Sequence, residues 1–274
     1  MSKQGLKKAM SLSQFELPTN KGFKKMNATY ERHQKTNRNI AVVVGILFVV
    51  GTVSGVLAGI VTTPIQAGSM YPLNISASGT QWILGTLLVL LMGLSLALVP
   101  ALLYPIFKKH NEVLSFGAVL FRGVLEAVCE MLLVISMFLL LTVSGIYGKT
   151  GAADASNFQT LGSMLIAAGE WIQLIGGMVF SVGTLMIFTL FYQTRLIPRW
   201  LSGWGGIGAV LYFIAKLVST FSPLHLAPEI GVGIGLLLVP TAIQEMVFAV
   251  WMIFKGFNPP AVASVSTQPA IAMS

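Results

Sequence analysis

Six apolar stretches, roughly 40–62, 80–106, 113–146, 159–192, 204–222 and 230–254, each run long enough to cross a lipid bilayer. A hydrocarbon core about 30 Å thick needs about 20 mostly apolar residues at a helical rise of about 1.5 Å. Because every backbone polar group must be satisfied internally in lipid, such stretches can only be helices. The breaks between them carry turn chemistry: Thr63-Pro64 to Gly79, Lys108 to Glu112, Gly148 to Asn157, Gln193 to Ser202, and Ser222-Pro223 to Pro228. The first stretch is longer than the apolar region of a signal peptide, which argues against that reading. The third and fourth are longer than a straight crossing requires, so each must tilt, kink or project from the bilayer. The expectation is an all-α integral membrane protein with six transmembrane helices in one bundle.

Charge supports a membrane setting and orients the chain. Only 9% of residues are charged, 55% are apolar and the mean hydropathy is +0.80, against about 25% charged in soluble domains. The net charge of +8 is concentrated in a basic tail, 1–39, which carries +7, so it does not point to nucleic acid. The tail reads as a topogenic anchor near anionic lipid, with Met1, Met10 and Met26 as alternative starts. Alternate connections then divide unequally. The tail, Lys108-Lys109, Arg195 with Arg199, and Lys255 hold fourteen basic residues, while the other set holds Lys149 alone. This asymmetry predicts cytoplasmic termini in the plasma membrane. Tyr104, Tyr192, Trp200, Trp204 and Trp251 fall near the cytoplasmic ends, and Trp82 and Tyr147 near the outer ends, as an interfacial belt would place them. The membrane domain is thus 40–258, and the small, polar tail 259–274 is expected to be disordered. Gly51, Gly55 and Gly59 form a small-residue stripe that lets another helix approach closely, within the chain or in a helix-mediated oligomer.

Several kinds of membrane chemistry lack their residues. The three histidines, His33, His110 and His225, have no metal-binding spacing, and no H-E-x-x-H string is present. An aspartyl dyad needs two aspartates where the chain has only Asp154, and a nucleophile such as Cys129 has no intramembrane histidine as base. No metal or cofactor site is therefore expected. Gly203-Trp-Gly205-Gly206-Ile-Gly208 spells a dinucleotide fingerprint, yet no strand precedes it, so close helix packing is the better reading. Asn74-Ile-Ser76 is a glycosylation sequon on the outer side.

The informative residues are six charges within the spans: Arg122, Glu126, Glu130, Glu170, Lys216 and Glu245. Each costs about 2.5–3.5 kcal/mol at a helix centre, so such residues face the bundle interior and pair. At about 100° per residue, Arg122, Glu126 and Glu130 share one stripe of the third helix with Ser115, Cys129 and Ser136. Glu170 shares a face with Ser163, Gly177, Ser181 and Thr184. Two cations against four carboxylates leave two carboxylates in surplus, which must bind protons or face water and hold a cation. Arg122 and Glu126 are expected to pair. The unpaired role falls to Glu130, Glu170 or Glu245, with Glu245 slightly favoured.

Three segments carry a family resemblance. They are Leu103-Tyr104 with Phe121-Arg122-Gly123-Val124-Leu125-Glu126, Arg195 to Gly208 with Leu211-Tyr212, and Gln244-Glu245-Met246 with Trp251 and Lys255-Gly256-Phe257. Over roughly 40–258 the chain resembles a bacterial multi-pass family catalogued as domain of unknown function 4386. Members of that family commonly place the Glu three residues after the Arg. Here the spacing is four, which still keeps both on one face. The resemblance implies an all-helical membrane fold and brings no substrate, cofactor or catalytic residue. The residues themselves suggest a transporter-like protein for a small solute or ion, using intramembrane carboxylates. Glu130-Met131 with Met137 echoes Glu245-Met246 with Met252, as inverted repeats would. The alternative is a non-catalytic membrane factor acting through helix contacts, its buried charges purely structural; a carboxylate-based enzyme ranks last.

Overall fold

The computed structural model describes residues 20–68, 71–150, 155–220 and 228–259, with side chains described for 34–68, 71–150, 155–220 and 239–259. Met1, Met10, Asp154, His225 and the tail from Pro260 lie outside the described residues. The chain divides into two units between Asn39 and Ile40. Six long helices follow in order. They are α1 (Asn20–Gln66), α2 (Gly79–Phe107), α3 (Glu112–Thr150), α4 (Ala155–Thr194), α5 (Arg199–Thr220) and α6 (Pro228–Phe254). No strand occurs among the described residues. Five of these helices are long and apolar enough to cross a membrane; in α6 the described apolar part is Val239–Phe254. The protein is an all-α, multi-pass membrane protein.

Local chemistry sets the helix ends. Asn111 caps α3, its side chain accepting from the Leu114 N–H at 2.9 Å. Gly256, at φ 70°, ends α6 in the left-handed conformation that a residue without Cβ adopts at low cost. The turn after α6 then docks on the α4–α5 turn, where the Asn258 N–H donates to the Leu196 carbonyl at 2.8 Å. The α2–α3 turn meets the end of α4 through His110 and Gln193 at 3.3 Å. Three basic turns, carrying Lys108-Lys109, Arg195 with Arg199, and Lys255, therefore gather at one end of the bundle. Here Arg199 lies over the Tyr192 ring at 5.1 Å and Trp200 meets Trp251 edge-on at 6.4 Å.

The core has two parts. At the basic end, rings from α1, α2, α4 and α6 interlock: Phe248 contacts Phe48 at 5.0 Å, Phe188 at 5.6 Å and Phe191 at 5.4 Å, and Phe107 contacts Phe191 at 4.9 Å. Edge-to-face pairs of this kind add about 0.5–1.5 kcal/mol each beyond the area they bury. At the opposite end a smaller cluster joins Ala58, Ile75, Trp82, Val89, Val134, Met137 and Leu140.

Two aromatic and glycine readings take definite form. Trp82 is not an interfacial anchor. It is 1% exposed, and its indole N–H donates to the Met137 carbonyl at 2.8 Å, because the face of α2 that carries it turns inward. In the glycine stripe, a Cβ on Gly51 would meet Leu96 and one on Gly55 would meet Met92, so α2 makes that close approach within the chain. Gly59 has nothing within 4 Å. The Gly203–Gly208 string lies inside α5, where a Cβ on Gly205 would collide with the Phe188 ring at 2.6 Å. Gly205 is the close-packing position of the string, while Gly203 has nothing within 4 Å.

Candidate functional site

α3 is not a uniform helix. Its turn Val119–Leu125 is π-helical and carries Arg122, which is 2% exposed. Wider turns of this type are rare and concentrate at functional positions. The packing around this one is tight. A Cβ on Gly183 of α4 would lie 2.5 Å from the Arg122 nitrogen, so only a glycine lets α4 rest on the widened turn.

From that position Arg122 holds three groups. Its guanidinium donates to Glu126, one turn along α3. A second guanidinium nitrogen lies 3.7 Å from Oε1 of Glu245 on α6. Its plane also sits 4.4 Å from the centre of the Phe180 ring of α4, in cation–π range. Thr52 of α1 completes the group by donating to Glu245 Oε2 at 2.9 Å. The expected Arg122–Glu126 pair is present, and Glu245 joins it. Glu245, slightly favoured as the unpaired carboxylate because it lies in the family-like Gln244-Glu245-Met246 segment, is therefore not unpaired. That role passes to Glu130 and Glu170, which form no ion pair among the described residues.

Above this floor lies a cavity of about 750 Å³, reaching from Thr52 and Glu245 up to Gln66 and Tyr71 in the α1–α2 connection. Glu126, Glu130, Glu170, Lys216 and Glu245 all line it, with Arg122 behind the wall. Cys129 and Ser136 from the polar stripe of α3 line it too, as do Gly177, Phe180 and Tyr212. Ser115, Ser181 and Thr184 share those helix faces but are buried in helix contacts away from it.

Glycines on neighbouring helices make room for the charged stems. A Cβ on Gly93 of α2 would lie 2.8 Å from the Glu130 Cβ, and one on Gly177 of α4 would lie 2.6 Å from the Lys216 Cε. The Lys216 ammonium sits 5.4 Å from the centre of the Tyr212 ring, and Tyr212 stands edge-on to Phe180 at 5.4 Å. The two intramembrane cations are thus seated on adjoining rings. Glu126 Oε2 and Glu130 Oε2 are buried with no hydrogen-bond partner among the described residues. At the upper end, burial pushes the Tyr71 phenol above its ordinary value and the nearby Glu170 carboxylate adds to the rise.

Sequence reasoning did not find Thr52, Phe180, Tyr71 or Gly183. Tyr212 had a weak signal, one helical turn before Lys216, and Gly177, placed on the Glu170 face, gave no sign that it admits a lysine stem.

A family described as Domain of unknown function (DUF4386) matches residues 43–256. The chain belongs to this family. All the cavity-lining residues fall within the stretch that this family covers. No curated protein and no solved structure matches the chain.

Proposed function

We propose that this protein is a cation- or proton-linked carrier of a small solute, with both termini cytoplasmic and the cavity as its binding chamber. One observation carries the reading: five of the six intramembrane charges line a single cavity that runs from the α1–α2 connection to a paired floor midway along the helices. Carboxylates retained in a membrane span at a cost of kilocalories commonly mark an ion or substrate path. Chambers of this size between helices are the usual form of a small-molecule site. The Arg122–Glu126–Glu245 group supports a structural role for three of the charges. It leaves Glu130, Glu170 and Lys216 as the residues that work in the chamber.

The test is flux in proteoliposomes under imposed proton and cation gradients. The expected result is dissipation of a gradient by the wild type and loss of that flux in Glu130→Gln, with folded yield retained. Absence of proton, cation or small-solute flux under every gradient would leave the alternative, a membrane factor working through helix contacts, as the better account.

A further inference from the structure

The lining of the chamber discriminates among classes of solute. Its sign is negative: the four carboxylates and one lysine that line it sum formally to −3, with Arg122 behind the wall. The Arg122 guanidinium is engaged by Glu126, Glu245 and Phe180, and the Lys216 stem is laid across Gly177 with its ammonium on Tyr212. Glu130 faces the chamber without a cationic partner among the described residues, and its Oε2 is buried and unbonded. Beside it, Glu126 also lines the chamber, is only 8% exposed, and keeps its Oε2 buried and unbonded. A buried carboxylate oxygen with no donor calls for one, or for a positive charge.

The chamber is too large, and its charges too dispersed, for a bare metal ion. About 750 Å³ falls within the range that accommodates drug-sized molecules. Among the described residues no three carboxylate, imidazole or thiol groups converge on one point. Five polar side chains of the wall already donate within the protein, which reduces its capacity for a sugar or other polyhydroxylated solute. Thr52 donates to Glu245, Thr62 to the Ala58 carbonyl, Thr63 to the Gly59 carbonyl, Ser136 to the Leu165 carbonyl and Trp82 to the Met137 carbonyl. Much of the remaining wall is apolar and partly adaptable: Val89, Met92, Leu133, Met137, Leu140 and Leu165. Methionines in particular re-pack around irregular guests.

We infer that the chamber binds an amphipathic organic monocation, an onium or protonated lipophilic amine, with its charge at Glu130 and its apolar body along Met92 and Met137. This rests on the reading of the cavity as a solute chamber and adds the chemical class that it takes. The test uses full-length protein in lipid nanodiscs and radiolabelled tetraphenylphosphonium, with tetramethylammonium, sodium and neutral triphenylphosphine oxide as comparisons. Wild type is expected to bind tetraphenylphosphonium saturably. Binding should be at least about tenfold tighter than for the neutral oxide or for tetramethylammonium, about 1.4 kcal/mol per decade. Glu130→Gln should lose about tenfold for tetraphenylphosphonium, while Glu112→Gln, at the exposed start of α3, should not change it.

Equal affinity for the neutral oxide, or unchanged affinity in Glu130→Gln, would overturn charge recognition. Saturable sodium binding without tetraphenylphosphonium binding would overturn the organic class and leave the chamber reading standing. No binding of any cation together with no flux would overturn both. The wild-type comparison of the four probes needs no variant, so it decides the matter even if Glu130→Gln does not fold.

Discussion

Replacing Arg122 with leucine removes the one group that holds the floor of the chamber together. The side chain is 2% exposed, so water replaces nothing that is lost. Three contacts go: the charge-assisted bond to Glu126, the 3.7 Å approach to Glu245, and the face of Phe180 at 4.4 Å. Breaking a buried ion pair from one side costs about 3–5 kcal/mol, because the abandoned charge remains buried, and the cation–π contact adds about 0.5–2 kcal/mol. Glu245 keeps the Thr52 hydroxyl, so Glu126 is the carboxylate left most exposed to the penalty. A total loss of about 3.5–7 kcal/mol follows, comparable to the whole stability of many domains.

The double change Arg122→Leu/Glu126→Gln removes the stranded carboxylate and should recover about 2 kcal/mol relative to Arg122→Leu, within the usual range for coupled neighbours. Unfolding in mixed micelles with increasing dodecyl sulfate, followed by tryptophan fluorescence, measures all three variants; folded yield gives a second readout. If the losses of Arg122→Leu and Glu126→Gln simply add to within about 0.5 kcal/mol, the two side chains do not act as a pair and the reasoning is refuted.

Gly183→Ala should cost about 1–3 kcal/mol by overpacking, since its Cβ would press on Arg122 backbone that no rotamer change can move. Gly59→Ala, with nothing within 4 Å, should be nearly neutral in the same unfolding assay, and equal effects would show that the close approach has been misjudged. Glu170→Gln should lower the Tyr71 phenol part of the way back toward its ordinary value, leaving the share that burial causes. A site-resolved tyrosine NMR titration would read this, and an unmoved titration would separate the two groups. The raised phenol also makes a small contribution to folding that is present below the ordinary tyrosine value and lost as pH rises through the shifted one, so Tyr71→Phe should flatten the alkaline loss of stability. Reporter fusions after Lys255 and within 148–157 should report opposite sides of the membrane; same-side signals would contradict the orientation drawn from the basic connections.

Hydropathy alone located all six long helices, because the need to bury backbone in lipid acts on each stretch independently of its neighbours. It reads apolar length, however, and not helix length. The apolar stretch begins near Ile40 while α1 is helical from Asn20, since polar residues also form helix. The interior of the third stretch was less legible. The π-turn at Val119–Leu125 has no hydropathy signature, and it depends on Gly183 of a different helix. The Arg122–Glu126 pair was readable because both residues share one helix. The participation of Glu245 and Thr52 was not, since it depends on how α1, α3 and α6 are rotated about their own axes. Trp82 illustrates the same limit: its depth was inferred from position, but its inward face was set by the packing of α2.

The interlocked phenylalanines beneath the floor close the cavity off from the basic end. From the level of Tyr71 the cavity runs to Glu126 and Glu245, with Arg122 behind them, and beyond that floor Phe48, Phe188, Phe191 and Phe248 fill the core toward the basic end. Packed rings do not yield by degrees. They exchange one set of neighbours for another, as close-packed interiors do. Phe248 touches rings on both α1 and α4, so it fastens α6 to both helices at once. α6 carries this ring three residues past Glu245, so a rotation of α6 that shifts the carboxylate also shifts the ring.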